Sequence, residues 1–278
     1  IMEDLKEILT KHAFGFKKQF GQNFLTDTNL LRAIVKDAGA EGANVLEIGA
    51  GAGALTRELA AVANKVLAFE IDKTLRPVLE ETLSGADNCE VVFKDFLKSD
   101  LCEIDRELGE YYVVANLPYY VTTPVVMRFI EEAKGCKGLT VMVQEEVAAR
   151  FCAAAGCADY GAVTAAIARR GTCEITRRVP RGMFTPRPNV DSAVVKIAFT
   201  DGIPVRSVNA YRQTVRCAFA SRRKTLENNL MNAFRISRDR AKEVLCLAGI
   251  EEGVRGETLS PERLARLSDV LTQSGIVL

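Results

Sequence analysis

The sequence has no tryptophan, a single histidine at His12, and no C-x-x-C pair among its eight cysteines. A zinc site needs several Cys or His ligands at short, regular spacing, so no metal is expected. Cys89, Cys102, Cys136, Cys152, Cys157, Cys173, Cys217 and Cys246 are scattered over a long chain. That scatter excludes a disulfide framework. Most of these residues are expected to serve as small apolar core residues in a reducing cytoplasm. No apolar run approaches the ~18 residues of a membrane span. The opening IMEDLKEILTKHAF lacks the apolar stretch of a secretory leader, so a cytoplasmic location is expected.

An excess of one charge is also lacking: 37 Lys and Arg stand against 36 Asp and Glu. The balance hides an asymmetry. Residues 201–240 hold 9 basic and 3 acidic side chains, which fits either a solvated helical face or a polyanion partner.

Short β-branched runs recur at 44–48, 65–70, 89–93, 111–115 and 138–144. Helical patterns lie between most of them, at 53–63, 73–83 and 123–133. A further helix follows Thr26 or Asp27, either of which can cap it. Strands alternating with helices predict an α/β fold with a mainly parallel sheet. Two more strands are expected at 171–178 and 190–199, separated by a loop at 180–189 that holds three prolines. Beyond residue 200 the strand signal stops. Helices are expected at 207–218, 222–233, 237–247 and 260–273. The reading is two domains, residues 1–200 and a small all-helical domain of residues 201–278.

The first strand runs into Glu47-Ile48-Gly49-Ala50-Gly51-Ala52-Gly53. Glycines at a strand-to-helix turn permit a sharp bend and bring a ligand close to the backbone. The G-x-G-x-G spacing followed by Ala54 fits a dinucleotide loop or the loop of S-adenosylmethionine-dependent methyltransferases. Glu47 favours the second, because a carboxylate suits an amino-acid head group and repels a pyrophosphate. Glu70 ends the second strand, where an acidic side chain can accept ribose hydroxyls. Asp95 and Phe96 follow the third strand and offer an acceptor for an exocyclic amine beside an aromatic ring.

The fourth strand stops at Asn116-Leu117-Pro118-Tyr119. Ligands of open α/β sheets sit outside the carboxyl ends of the strands, so this turn faces the same crevice. An adenine amine is a poor nucleophile because its lone pair is delocalised into the ring. The Asn116 side-chain oxygen can accept one of its N–H groups and a carbonyl of the proline-stiffened turn the other. Tyr119 can stack on the base.

This turn resembles the N-L-P-Y motif of amino-methyltransferases. The ordered set KKQFGQNFLTD, LEIGAGAGALT, FEID, KDFL, NLPYYVTTPVV, PRGMFTPRPNVDSAVVKI and FASRRKTLENNL resembles the ribosomal RNA adenine dimethyltransferases of the small-subunit type, over nearly the whole chain. The resemblance implies a Rossmann-like class I methyltransferase domain and S-adenosyl-L-methionine as cofactor. It implies that Gln22, Asn23 and Leu25 line the cofactor and that Gly49 and Gly51 approach its methionine part. Glu70 and Ile71 would meet the ribose region, and Asp95 and Phe96 the adenine. Asn116, Leu117 and Pro118 would hold the acceptor amine, with Asn116 also near the cofactor, and Tyr119 and Phe184 would sandwich the target base. Arg212, Arg216, Arg222, Arg223 and Lys224 would engage RNA phosphates. The implied reaction is dimethylation at N6 of two adjacent adenosines in a hairpin loop near the 3′ end of small-subunit rRNA. The implied partner is an immature small ribosomal subunit, approached by a monomer.

Four other readings remain at this stage. They are a large-subunit rRNA dimethyltransferase, a DNA adenine methyltransferase, a non-catalytic RNA-binding assembly or transcription factor on the same fold, and a nicotinamide-dependent oxidoreductase.

Overall fold

The structure is a computed structural model that describes residues 5–12, 14–15, 23–25 and 27–277. In chain order its first elements are α1 (Leu5–Lys11), β1 (Phe24–Leu25), α2 (Thr28–Ala38), β2 (Asn44–Ile48), α3 (Ala54–Ala60) and β3 (Lys65–Glu70). Next come α4 (Arg76–Thr82), β4 (Cys89–Phe93), α5 (Leu101–Leu108), β5 (Tyr111–Asn116), α6 (Tyr119–Glu132), β6 (Cys136–Gln144) and α7 (Glu145–Phe151). Then follow α8 (Ala162–Arg170), β7 (Gly171–Val179), β8 (Phe184–Thr185), β9 (Ser192–Phe199), α9 (Val208–Ala218), α10 (Leu226–Phe234), α11 (Arg238–Leu247) and α12 (Pro261–Gln273).

The chain divides into two compact units, one of residues 1–148 with 174–198, the other of 149–173 with 199–278. The last change of unit falls between residues 198 and 199, and residues 149–173 group with the second unit. The cause is packing. Tyr160 and Ala165 belong to the same buried cluster as Tyr211, Leu226 and Leu264, and the Tyr211 hydroxyl donates to the Ala165 carbonyl at 3.0 Å.

The first unit is built on a seven-stranded sheet of order β4-β3-β2-β5-β6-β9-β7. The pairs β3–β4, β2–β3, β2–β5 and β5–β6 are parallel and β6–β9 is antiparallel. Strand β2 is buried on both faces by covering helices, which is why NVLEI reads as a continuous apolar run rather than an alternation. Asp27 caps α2 by accepting the Leu30 N–H at 2.8 Å, and Leu31, Ile34, Val35 and Ala38 turn its apolar stripe inward. The order of strands reverses between β2 and β5. Crevices for ligands open at such a switch point.

Three local differences from the sequence reading bear on the site. Helix α6 begins at Tyr119 and runs through Pro124, rather than starting near 123. Pro118 already holds the extended backbone that precedes a helix, and Pro124 only removes one hydrogen bond from the ladder. The proline-rich loop contains a short strand, β8, which pairs antiparallel with β1 and sets Leu25 opposite Phe184. Helices α7 and α8 occupy a stretch to which no helix was assigned. The cysteines differ as well: only Cys136 and Cys217 are buried, while Cys102, Cys157 and Cys246 are exposed.

The second unit is helical. Its α9, α10, α11 and α12 start at Ser207, Thr225, Ser237 and Ser260, each side chain accepting a first-turn N–H. Each such cap is worth about 1 kcal/mol. Leu226, Leu230, Leu245, Leu264, Leu267 and Leu271 close its core.

Candidate active site

The register pairs Ile48 of β2 with Ala115 of β5, so Gly49 and Asn116 leave the sheet side by side. Gly49, Gly51 and Gly53 have φ of 85°, 57° and 86°, a region that costs other L residues about 1–3 kcal/mol. The bend also places the loop against its neighbours. A Cβ on Gly49 would stand 3.2 Å from Leu117 Cδ2 and 3.3 Å from the Asn116 carbonyl oxygen, and one on Gly51 would stand 3.1 Å from the Phe24 ring. Phe69 at the end of β3 holds the loop from the other side, its carbonyl accepting the Gly49 and Ala50 N–H groups at 2.8 and 3.1 Å.

These elements wall a cavity of about 310 Å³. Asn23, Leu25, Gly49, Gly51, Glu70, Ile71, Asp95, Phe96, Asn116, Leu117, Pro118 and Phe184 all line it, so the structure brings nearly every predicted cavity residue together. Gln22 lies outside the described residues. So does the side chain of Tyr119, whose backbone opens α6.

Several of these residues carry more than the sequence suggested. Glu70 is buried, and its two oxygens accept the Gly51 N–H at 2.7 Å and the Asp72 N–H at 2.8 Å. A carboxylate has about four acceptor positions, so ribose hydroxyls can still be received. Burial raises its pKa, opposed by the backbone N–H donors of Asp72 and Gly51. Asp95 caps a 3-10 turn at Phe96–Lys98, accepting the Leu97 N–H at 3.1 Å, and Lys98 Nζ stands 3.8 Å from its other oxygen. The aromatic ring expected beside Asp95 lines the cavity, although Phe96 is only 4% exposed. It is stacked on Phe129 and met edge-on by Phe69, both at 5.4 Å. Phe184 is likewise buried, at 5%.

At the acceptor turn, the Pro118 carbonyl accepts the Val121 N–H at 3.0 Å and the Thr122 hydroxyl at 3.4 Å. The Asn116 side chain makes no hydrogen bond among the described residues. Tyr120, which the sequence reading passed over, also lines the cavity and is 70% exposed. The signal for it was the second tyrosine of NLPYY.

Glu47 requires a correction. It is 1% exposed and does not line the cavity, lying instead beside Thr56 of α3. Neither oxygen has a hydrogen-bond partner among the described residues. Burial drives its pKa up to about 8, with the Thr56 hydroxyl opposing and the Glu70 charge adding.

In the second unit, Arg222 also differs from expectation. It is exposed, and its guanidinium donates to the Ala158 carbonyl at 2.8 Å and the Tyr160 carbonyl at 2.6 Å, so part of its donor set braces a loop. Arg212 donates to Asn209 Oδ1 at 3.0 Å. Arg216, Arg223 and Lys224 are exposed, the last two in the turn before α10.

A parallel sheet with a glycine loop and an amide-bearing turn on either side of its switch point, and carboxylates at the next two strand ends, defines a Rossmann-like class I methyltransferase domain. Comparison with known proteins narrows the class. The chain belongs to the ribosomal RNA adenine dimethylase family, whose model matches residues 13–273. It is 46% identical over 276 residues to Ribosomal RNA small subunit methyltransferase A of Geobacillus thermodenitrificans, covering 96% of this chain and 94% of that one. Among solved structures it is similar to a dimethyladenosine transferase from Plasmodium falciparum, with TM-score 0.79 and 23% identity over 91% of this chain and 99% of that one. It is also similar to the 23S rRNA methyltransferase ErmE, with TM-score 0.68 and 31% identity over 90% of this chain and 100% of that one.

Proposed function

We propose that this protein dimethylates N6 of two adjacent adenosines in a hairpin loop near the 3′ end of small-subunit rRNA, using S-adenosyl-L-methionine. Its substrate is an immature small ribosomal subunit, which it meets as a monomer in the cytoplasm. The observation that carries the reading is the placement of the Asn116-Leu117-Pro118 turn against Gly49, in the wall of the cavity that also holds Glu70 and Asp95.

The residues fit the cofactor. Without Cβ atoms, Gly49 packs against Leu117 and Gly51 against Phe24, and both glycines still line the cavity, so the loop backbone itself faces the ligand. Glu70 receives ribose hydroxyls and Asp95 an adenine amine. When bound, S-adenosylmethionine supplies an electrophilic methyl group.

The chain's own task is to present the acceptor. Asn116 Oδ1 accepts one N–H of the target amine. Pro118 O is engaged by Val121 and Thr122, so the Leu117 carbonyl accepts the other. Two acceptors favour a pyramidal nitrogen with its lone pair free. No strong base is required, because the nitrogen becomes acidic once methylated and sheds its proton to water. Tyr119 and Phe184 stack on the base, at about 1–3 kcal/mol per base, which offsets part of the cost of extruding it. Alignment and positioning then carry the rate.

The relative named for the small subunit is 46% identical, against 31% for the one named for 23S rRNA, which favours the small-subunit substrate. The test is methyl transfer from labelled S-adenosylmethionine to unmethylated small subunits and to 23S rRNA, followed by nucleoside mass analysis. Dimethyladenosine from the small subunit alone is expected. Transfer only to 23S rRNA would overturn the substrate, and no transfer to either would overturn the reaction.

A further inference from the structure

We propose that Arg128 is a positioning residue for the adenine end of the cavity, holding the loop that carries Asp95 to the helix that carries the acceptor turn. The inference rests on reading this end of the cavity as an adenine pocket. Arg128 stands on α6, nine residues after Tyr119, and its side chain is only 16% exposed. One terminal nitrogen donates to the Phe96 carbonyl at 2.8 Å, and the other donates to the Ser99 carbonyl. Nε reaches Glu132 at 3.2 Å. The guanidinium also lies 5.4 Å from the centre of the Phe96 ring.

These contacts fall on one short piece of chain. Phe96 and Ser99 bracket the 3-10 turn whose Leu97 N–H is capped by the Asp95 side chain. Inside the turn the Phe96 carbonyl already accepts the Ser99 N–H at 3.0 Å, and a planar fork with fixed donors can fill its second acceptor position and reach the Ser99 carbonyl at the same time. A lysine ammonium at the same place is a single point charge and cannot span both. Phe129, the next residue on α6, stacks on the Phe96 ring with planes 14° apart, and Phe69 closes the other side. The turn is therefore held by its carbonyls and by its ring, both from α6. Asp95 has no comparable tether of its own: its partners are the Leu97 N–H inside the same turn and the exposed Lys98. Where Asp95 points into the cavity is set by where Arg128 holds the turn.

A plain structural staple and a positioning residue differ in one readout. If Arg128 aims Asp95, it controls discrimination of an adenine amine from a carbonyl oxygen at the same ring position. The experiment compares the affinities of S-adenosylhomocysteine and S-inosylhomocysteine for the full chain by calorimetry, in wild type and Arg128→Lys. Wild type is expected to prefer the adenine ligand by about tenfold or more, the scale of one hydrogen bond to a charged group. In Arg128→Lys the ratio is expected to fall to about threefold or less, with affinity for RNA unchanged. Arg128→Met, which keeps the apolar stem, reports the same ratio should the lysine variant misfold. An unchanged ratio in a folded variant overturns the proposal and leaves the pocket reading standing. A wild-type protein that binds neither ligand, or binds both alike, overturns the pocket reading first and this inference with it.

Discussion

The Glu70 carboxylate accepts the Gly51 amide N–H at 2.7 Å, tying the end of one strand to the glycine loop of its neighbour. The same side chain is thus both a wall of the cavity and a support for the loop. Glu70→Gln keeps the size but replaces an acceptor oxygen with a donor. It should weaken S-adenosylhomocysteine binding at least ~10-fold, the effect of about one charge-assisted hydrogen bond. Calorimetry checks this; wild-type affinity in the variant would remove Glu70 from the ligand.

Glu47 gives the fold a pH dependence. Its folded pKa of about 8 lies above the ordinary 4.5, so the folded protein keeps a proton that the unfolded chain releases. The stability from this group is full below about 4.5 and is lost as pH rises toward about 8. Glu47→Gln carries no such proton. The variant's thermal midpoint should gain on wild type as the pH is raised from about 5 to about 9. Parallel melting curves across that range would show that Glu47 does not titrate in this way.

The basic residues of the second unit should separate into two kinds. Replacing Arg216, Arg223 and Lys224 by Ala should leave the melting temperature alone and reduce the salt slope of RNA binding by about 0.7 per lost phosphate contact. Arg222→Ala should instead lower stability, by about 1 kcal/mol, because the part-buried Tyr160 carbonyl loses its donor while the exposed Ala158 carbonyl can turn to water. Filter binding over a salt series, paired with thermal melts, distinguishes them. A destabilised triple variant, or a neutral Arg222→Ala, would reverse the assignment.

Much of this was written in local sequence. The parallel strands are short β-branched runs between amphipathic helices, and Gly49, Glu70, Asp95 and Asn116 each stand where such a strand ends. What was not legible depends on distance. Phe24–Leu25 and Phe184–Thr185 are two-residue strands far apart in the chain, with no period to reveal that they pair. Glu47 looks like a ligand because it precedes the loop, but it is buried beside Thr56 of α3 and does not line the cavity. Arg222 looked like its neighbours Arg223 and Lys224, and only the tertiary position of residues 158–160 gives it carbonyls to hold. The clamp of Arg128 on Phe96 and Ser99 is hidden for the same reason.

The central claim is that Asn116 presents the acceptor amine, and single-turnover methyl transfer in Asn116→Ala tests it most directly. With small subunits and cofactor both saturating, the rate should fall at least ~10²-fold, the usual loss on removing one preorganised polar partner. Affinity for the subunit should persist. A single-turnover rate near wild type would contradict the account, since the amine would then be held by something other than the turn that ends β5.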